Sequence, residues 1–241
     1  MWRRATSDEI DIRNDFDADT PNGKDSDSSS PSLRTYQRLL WSKPLPSGAM
    51  FELSEATPGV YLHHWSQLGE FKLSSDVMFI AFLRDKKLEE VRDRVPDRVW
   101  REFDPTAFTI GGRFIFPSNK VGNTVTINGA RAFHPRIKDR FDLTLECIRR
   151  HYVGGDSPLS GVLGRYADFF ALFGSFRGYV DFFLLQDIVS ADYAEIRFLS
   201  PFTSFDKSPV PADVRAFSDY LRASTRFVRA RNARIVQSRR R

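Results

Sequence analysis

The chain has 241 residues, of which 41% are hydrophobic, and its formal net charge is +5. One cysteine, Cys147, excludes an internal disulfide framework and favours a reducing compartment. No run of about 18 apolar residues exists, so no membrane-spanning helix and no membrane partner are predicted. The N-terminus lacks the apolar region of a secretory signal. These features predict one cytoplasmic domain with a core of ordinary size.

Charge is distributed unevenly between the two ends of the chain. Residues 1–30 carry eight acidic side chains against four basic ones, whereas residues 212–241 carry nine arginines against two aspartates. Such asymmetry predicts either a polyanionic partner for the C-terminal segment or contact between the two ends. Residues 1–30 lack an apolar period, so we expect an acidic, partly extended N-terminal segment ahead of a single domain over residues 31–241.

The first half of that domain is predicted to contain one helix and several strands. Pro31 suits the first turn of a helix that must end before Lys43–Pro44, because the residue before proline avoids the helical region. Apolar runs between residues 50 and 83 predict three strands, and a short charged helix follows over residues 85–95. Gly111–Gly112 lies between two apolar runs and predicts a hairpin or a bulge.

The second half of the domain is predicted to be mainly helical. Apolar side chains at helical spacing predict a helix that stops at Gly154–Gly155. Residues 175–189 are apolar almost all round and predict a buried central helix. Residues 193–199 predict a late strand, and a long basic helix follows from about residue 212 to residue 236. Strands followed by helices predict an α+β fold, in which a mostly antiparallel N-terminal sheet packs against a C-terminal helical cluster.

The acidic stretch DFDADTPNGKDSD is the first candidate site. Clustered carboxylates suit hard cations, but the spacing matches neither an EF-hand loop nor a phosphate-binding loop. A solvated acidic arm is the simpler interpretation, and a metal-dependent hydrolase or phosphoryl-transfer site completed by distant residues is the alternative. One cysteine and four scattered histidines give no zinc spacing, so no metal ligand is assigned. The candidate catalytic residues are Asp15, Asp17, Asp19, Lys24 and Asp25, in a cluster that extends to Asp27.

The arginine-rich C-terminal helix is the second candidate site. Each arginine close to a phosphate releases counterions, so several together favour nucleic-acid binding. Few aromatic residues lie near them, so no base-stacking platform is predicted. A solvated helix face is the simpler interpretation of the same charges. The candidate nucleic-acid-binding residues are Arg226, Arg229, Arg231, Arg234 and Arg239.

A third candidate is a pair of opposite charges inside the helix that is predicted to be buried. Arg177 and Asp181 lie one helical turn apart. Burying a charged pair costs free energy unless its hydrogen bonds are complete. The two side chains therefore either form a structural pair or line an interior pocket that binds a ligand.

Four strings in this sequence carry a family resemblance: DADTPNGKDSDSSSPSLRTYQRLLWSKPLPSG, GGRFIFPSN, DRFDLTLECIRRHY and DFFALFGSFRGYVDFFLLQD. They resemble an uncharacterised family of bacterial proteins that is catalogued as a domain of unknown function. The resemblance covers roughly residues 13–236. It implies a single bacterial intracellular unit that includes the acidic stretch, and it implies no activity, cofactor or catalytic residue.

These observations favour a non-enzymatic protein that binds nucleic acid or a protein partner through its basic C-terminal helix. The alternative is the metal-dependent hydrolase or phosphoryl-transfer enzyme based on the acidic cluster. A third interpretation has the acidic segment dock on the basic helix within the chain, which would make both features structural. The sequence assigns no cofactor and no oligomeric state.

Overall fold

The computed structural model of the protein describes residues 10–21, 24–55, 61–78, 86–120 and 124–239, without the side chains of residues 86 and 87. The α+β prediction is confirmed, because the N-terminal half supplies antiparallel strands and the C-terminal half is mostly helical. The end of the third predicted strand, residues 79–83, lies outside the described residues. No helix in the described ranges is long and apolar enough to cross a membrane.

The described strands form two antiparallel sheets. A small sheet pairs β1 with β2 through the residue couples Lys43–Phe51 and Pro44–Met50. The larger sheet has the order β3-β4-β5-β6, and each strand is antiparallel to its neighbour. The strands are β1 (Lys43–Pro44), β2 (Met50–Phe51), β3 (Ser54–Glu55), β4 (Leu62–Ser66), β5 (Gly69–Val77) and β6 (Arg113–Pro117).

Helices flank the sheet and make up most of the chain after β6. The N-terminal ones are α1 (Ser26–Ser29), α2 (Pro31–Trp41), α3 (Lys86–Asp93) and α4 (Asp97–Ala107). The later ones are α5 (Ile127–Phe133), α6 (Phe141–Tyr152), α7 (Ser160–Arg165), α8 (Ala167–Ala171), α9 (Phe176–Phe182) and α10 (Val214–Ser238). The long predicted C-terminal helix is present as α10, and α6 ends just before Gly154, whose φ of 73° suits glycine.

Local signals in the sequence determine the bounds of α2. Ser30 is the N-cap, and its hydroxyl accepts a hydrogen bond from the backbone N–H of Leu33. Pro31 occupies the first turn, where a missing N–H costs nothing. The helix ends at Trp41, as Lys43–Pro44 predicts, and its apolar face is buried in the core.

Gly111 and Gly112 do not form the predicted hairpin or bulge. They belong to a 3-10 turn, residues 110–112, that leads directly into β6. A Cβ atom on Gly111 would lie 2.5 Å from Oδ1 of Asn232, and one on Gly112 would lie 2.0 Å from the carbonyl oxygen of Ala107. Both glycines are therefore required by the close approach of α10 and α4, which depends on tertiary structure.

The predicted buried helix over residues 175–189 is also wrong. Helix α9 ends at Phe182, Leu184 adopts a left-handed φ of 56°, and a separate 3-10 turn follows at residues 186–188. The segment is apolar because its rings join an aromatic cluster. In this cluster the ring centres of Phe182 and Phe183 lie about 5 Å from each other and from that of Phe173, which precedes the segment. The predicted late strand is reduced to one antiparallel bridge between Val189 and Ile196.

Helix α10 connects two apolar clusters. Its first half, with Phe217 and Leu221, packs on Val99 and Phe103 of α4. Its second half, with Val228 and Ile235, belongs to the main core that also contains the sheet and the aromatic cluster. This helix therefore presents one face to the protein interior along its whole length, and its opposite face is exposed.

The described part of the acidic segment is folded onto the domain rather than extended away from it. The Phe16 side chain is fully buried, and its ring makes an edge contact with Tyr36 of α2. The backbone N–H of Asp11 donates to the hydroxyl of the same tyrosine at 2.9 Å. One buried ring and these contacts attach the segment to α2.

Candidate functional site

The carboxylates of the acidic segment act as local hydrogen-bond acceptors. Asp15 accepts from the backbone N–H of Asp17. Asp25 caps α1 by accepting from the backbone N–H of Asp27, and it also accepts from the Tyr61 hydroxyl at 2.7 Å. These contacts satisfy backbone donors in turns and at a helix start.

The other candidate residues of this segment accept hydrogen bonds, lie near an arginine or are exposed. Asp19 accepts from the hydroxyl groups of Ser30 and Ser32 at the start of α2. Asp17 lies 3.9 Å from Nη2 of Arg113, and Lys24 is exposed. Among the described residues, no group of three or more His, Cys, Asp or Glu side chains is placed to hold a metal ion. The hydrolase alternative therefore stays a prediction with no supporting arrangement in this part of the chain.

Asp27 is the carboxylate of this segment that is buried. Its oxygens accept from Nε2 of Gln37 and from both the backbone N–H and the hydroxyl of Ser75 in β5. Burial raises the pKa of Asp27 to about 6, although these three donors act in the opposite direction. The residue joins the α1–α2 region to the sheet, a role that its sequence context does not reveal.

The five predicted nucleic-acid-binding arginines do not share one environment. Arg231 is only 1% exposed, so it is a structural residue and cannot contact a polyanion. Arg234 forms two hydrogen bonds, at 2.8 and 2.9 Å, with the carboxylate of Asp187. Arg239 donates to the backbone carbonyl of Leu39. The prediction is therefore wrong for Arg231, because a periodic helix carries both inward and outward arginines.

Arg226 and Arg229 are exposed, and they continue a row of arginines along α10. Successive members of the row are seven, four and three residues apart, which places them on one face of the helix. The face spans about 21 Å at about 1.5 Å per residue. The acidic side chain within the row, Asp219, pairs with Arg222 at 3.2 Å. We define the exposed arginine face as Arg215, Arg226 and Arg229, which are exposed, together with Arg222, whose side chain is 42% exposed.

The N-terminal segment meets α10 at one end of the exposed arginine face. Ile12 and Arg13 line a groove of about 380 Å³ together with Arg229. The Arg13 side chain is 88% exposed and pairs with Asp11 at 3.2 Å. In the described part of the chain, Ile12 and Arg13 bring the segment to α10, whereas the aspartates contact other elements.

Arg177 and Asp181 are not a buried pair. Their side chains are 71% and 44% exposed, and Nε of Arg177 lies 3.8 Å from a carboxylate oxygen of Asp181. They line a surface groove of about 480 Å³ between α9 and the turn that joins β1 to β2. Lys43, at the start of β1, lies in the same groove. The predicted pocket residues therefore share a groove, but it is open and contains a lysine that sequence reasoning missed.

Comparison with known protein families identifies the family of this chain. Residues 10–235 match the sequence profile of a family described as a family of unknown function, DUF6994. The chain belongs to this family. The match begins ahead of Asp15, so the acidic segment is part of the DUF6994 domain. The comparisons with curated proteins and with solved structures each gave no match.

Proposed function

We propose that this DUF6994 protein binds the phosphate backbone of a nucleic acid through the exposed arginine face. The supporting observation is the row of four outward arginines on one side of α10, with Asp219 as the acidic side chain in the row. Each guanidinium presents a fork of donors that suits a phosphate. A face of about 21 Å is long enough to contact several phosphates of one strand.

The anchoring of α10 supports this proposal, because a rigid helix loses little entropy on binding. Arg231 donates to the backbone carbonyls of Phe183, Gly111 and Arg113, and Arg234 pairs with Asp187. Inward and outward arginines on one helix thus have separate roles. The inward ones fix the helix to the domain. Of the outward ones, Arg215, Arg226 and Arg229 have no acidic partner among the described residues, and Arg222 pairs with Asp219.

Binding through this face would read little base sequence. Tyr220 is fully buried and Phe227 is 5% exposed, so neither ring is available to stack on a base. Contacts from arginine to phosphate position a protein on nucleic acid but carry no direct sequence information. We therefore expect similar affinities for polynucleotides of different sequence.

The test is fluorescence anisotropy of labelled single- and double-stranded DNA and RNA across a series of salt concentrations. For about four phosphate contacts, we expect affinity to fall on the order of a hundredfold between 50 and 200 mM salt. In the R226Q/R229Q variant, the salt dependence should become less steep by about two phosphate contacts. Both side chains are exposed, so this variant should fold normally.

The matched control removes two arginines from other elements. Arg136 is 55% exposed near Asp206, and Arg165 lies at the end of α7. The R136Q/R165Q variant loses the same net charge as R226Q/R229Q. Because its two arginines lie outside α10, it should bind polynucleotides with nearly wild-type affinity and salt slope. Equal weakening in both double variants would show a general charge effect and would overturn the proposed role of α10.

A further inference from the structure

A buried arginine, Arg231, and a half-buried lysine, Lys43, lie next to each other, and their partners in the described part of the chain are neutral. Nζ of Lys43 donates to the backbone carbonyl of Phe182 at 2.5 Å, and it lies 5.0 Å from the centre of the Trp41 ring. The guanidinium of Arg231 lies 5.7 Å from the same ring and donates to backbone carbonyls. Among the described residues, neither cation forms an ion pair with Asp or Glu.

The other buried arginines of the described chain each have an acidic neighbour. Arg131 pairs with Asp76 and Asp139, and Arg140 pairs with Asp142. The remaining pairs are Arg34 with Glu55 at 2.7 Å and Arg113 with Asp17 at 3.9 Å. Lys43 and Arg231 therefore depart from a rule that the rest of the protein follows.

Buried positive charge without a counter-ion is unfavourable. Burial, with a further contribution from the neighbouring Arg231, lowers the pKa of Lys43 to about 8. Carbonyl dipoles and the faces of Trp41 and Phe182 compensate part of this cost. An anion beside Lys43 would compensate the rest, so this region favours an anionic ligand.

The surface groove provides the space for such an anion. Lys43 forms one side of it, and Arg177 stands on the other side with its guanidinium 4.8 Å from the Tyr193 ring. A Cβ atom on Gly178 would lie 2.1 Å from the carbonyl oxygen of Phe173 and 3.2 Å from Pro46, so glycine allows α9 to pack against both the preceding turn and the β1–β2 turn. The volume of about 480 Å³ lies within the range of small-molecule sites.

The rest of the lining limits the kind of ligand. Pro44, Pro46 and Phe182 give the groove an apolar wall. Asp181, which accepts from the side chains of Gln186 and Tyr193, adds one negative charge. A ligand with an apolar body and one charged group fits this lining better than a highly charged ion does.

We propose that this groove binds a small organic anion, a carboxylate or a phosphate monoester, whose charged group contacts Lys43 and Arg177 and whose apolar body packs on the proline wall. The groove residues differ from those of the exposed arginine face. The inference is therefore independent of nucleic-acid binding, and each can fail without the other.

Thermal unfolding of the purified protein, followed by calorimetric titration, tests the proposal with benzoate and phenyl phosphate as probes. Sodium chloride of equal ionic strength is the control. We expect at least one probe to raise the melting temperature, and the stronger probe identifies the carboxylate or the phosphate class. If neither probe raises the melting temperature above the chloride control, the proposal is wrong.

Two variants on the exposed side of the groove have opposite expected effects. R177Q should weaken probe binding on the order of tenfold, because it removes one charge-assisted contact. D181N should strengthen binding, because it removes a competing negative charge. R165Q, on α7, is the matched control and should leave probe affinity unchanged. Wild-type affinity in R177Q would overturn the assignment of this groove.

A third variant separates a binding role for Lys43 from a structural one. K43M keeps most of the side-chain volume and removes the charge. If Lys43 is held ready for an anion, K43M should abolish the probe effect and should melt at or above the wild-type temperature without a probe. A lower melting temperature together with an unchanged probe effect would mean that Lys43 is purely structural and would contradict the proposal.

Discussion

The start of α6 and the Trp41 region both bury arginine, and they differ in what surrounds the charge. Arg140 is 1% exposed, and two of its nitrogens donate to the carboxylate of Asp142, which is itself fully buried. Arg140 also donates to the carbonyls of Pro209 and Ser200, which fixes the segment that leads to α10. Around Trp41, Arg231 and Lys43 have carbonyls and rings as partners, and within the described ranges neither forms an ion pair with a carboxylate.

This difference separates buried charges that a carboxylate neutralises within the fold from charges that have only neutral partners. A buried pair with complete hydrogen bonds contributes structure and has no capacity for another anion. A buried cation that has only neutral hydrogen-bond partners keeps a charge without a counter-ion, and its neighbourhood favours a negative ligand. The following predictions address one side of the comparison or the other, in order of decreasing effect.

Breaking the buried Arg140–Asp142 pair should have the largest effect on stability. D142N removes the negative charge beside Arg140 and weakens an acceptor for the backbone N–H of Leu199. We expect a loss of roughly 3–5 kcal/mol in the free energy of unfolding, as for other broken buried pairs. Denaturant titration measures it. D187N, beside the half-exposed Arg234, should cost less than about 1 kcal/mol, and similar losses in both variants would contradict the comparison.

Asp27 tests the burial of a carboxylate whose hydrogen bonds come from the neutral donors of Gln37 and Ser75. Its pKa is about 6 in the folded protein, against 3.8 for an ordinary aspartate, so the folded state binds the proton more tightly. Its contribution to stability is therefore greatest below about pH 4 and falls as the pH rises through 6, by roughly 3 kcal/mol. The difference in unfolding free energy between wild type and D27N across pH 4–7 measures it. A difference that does not change with pH would contradict the raised pKa.

Lys43 should show the opposite pH behaviour with a similar amplitude. Its pKa in the folded protein, about 8, lies below the ordinary 10.5, so the cost of burying the charge is relieved as the pH rises from 8 to 10.5. Near pH 7 the free energy of unfolding should be higher for K43M than for the wild type, and this advantage should shrink by roughly 3 kcal/mol as the pH rises to about 10.5. Parallel stability curves for the two proteins would show that the Lys43 charge carries no such cost.

The parts of the fold that the sequence predicted are those that local chemistry determines. Helix α2 lies between a serine cap with a proline in its first turn and the dipeptide Lys43–Pro44, and α6 stops before Gly154, so short-range signals suffice. The hairpin prediction for Gly111 and Gly112 is wrong because their roles depend on packing: Gly111 contacts Asn232, more than a hundred residues away, and Gly112 contacts the backbone of Ala107 in α4. Helix α9 was overextended because an apolar segment that joins an aromatic cluster resembles a buried helix.

The candidate sites were predictable to a similar degree. One helical turn between Arg177 and Asp181 was enough to place both in one groove, but not to give their exposure. Lys43 gave no signal, because its carbonyl partner on Phe182 lies 139 residues away in the chain. Periodicity could have separated Arg231 from Arg226 and Arg229, since the apolar positions of α10 already mark its inward face.

The salt dependence of polynucleotide binding tests the proposed function most directly. Wild-type protein should bind labelled DNA or RNA at low salt, and its affinity should fall steeply as salt rises. R226Q/R229Q should bind more weakly with a shallower slope, and R136Q/R165Q should match the wild type. No binding to any polynucleotide at low salt, or a slope that R226Q/R229Q leaves unchanged, would contradict the proposal that α10 presents a phosphate-binding face.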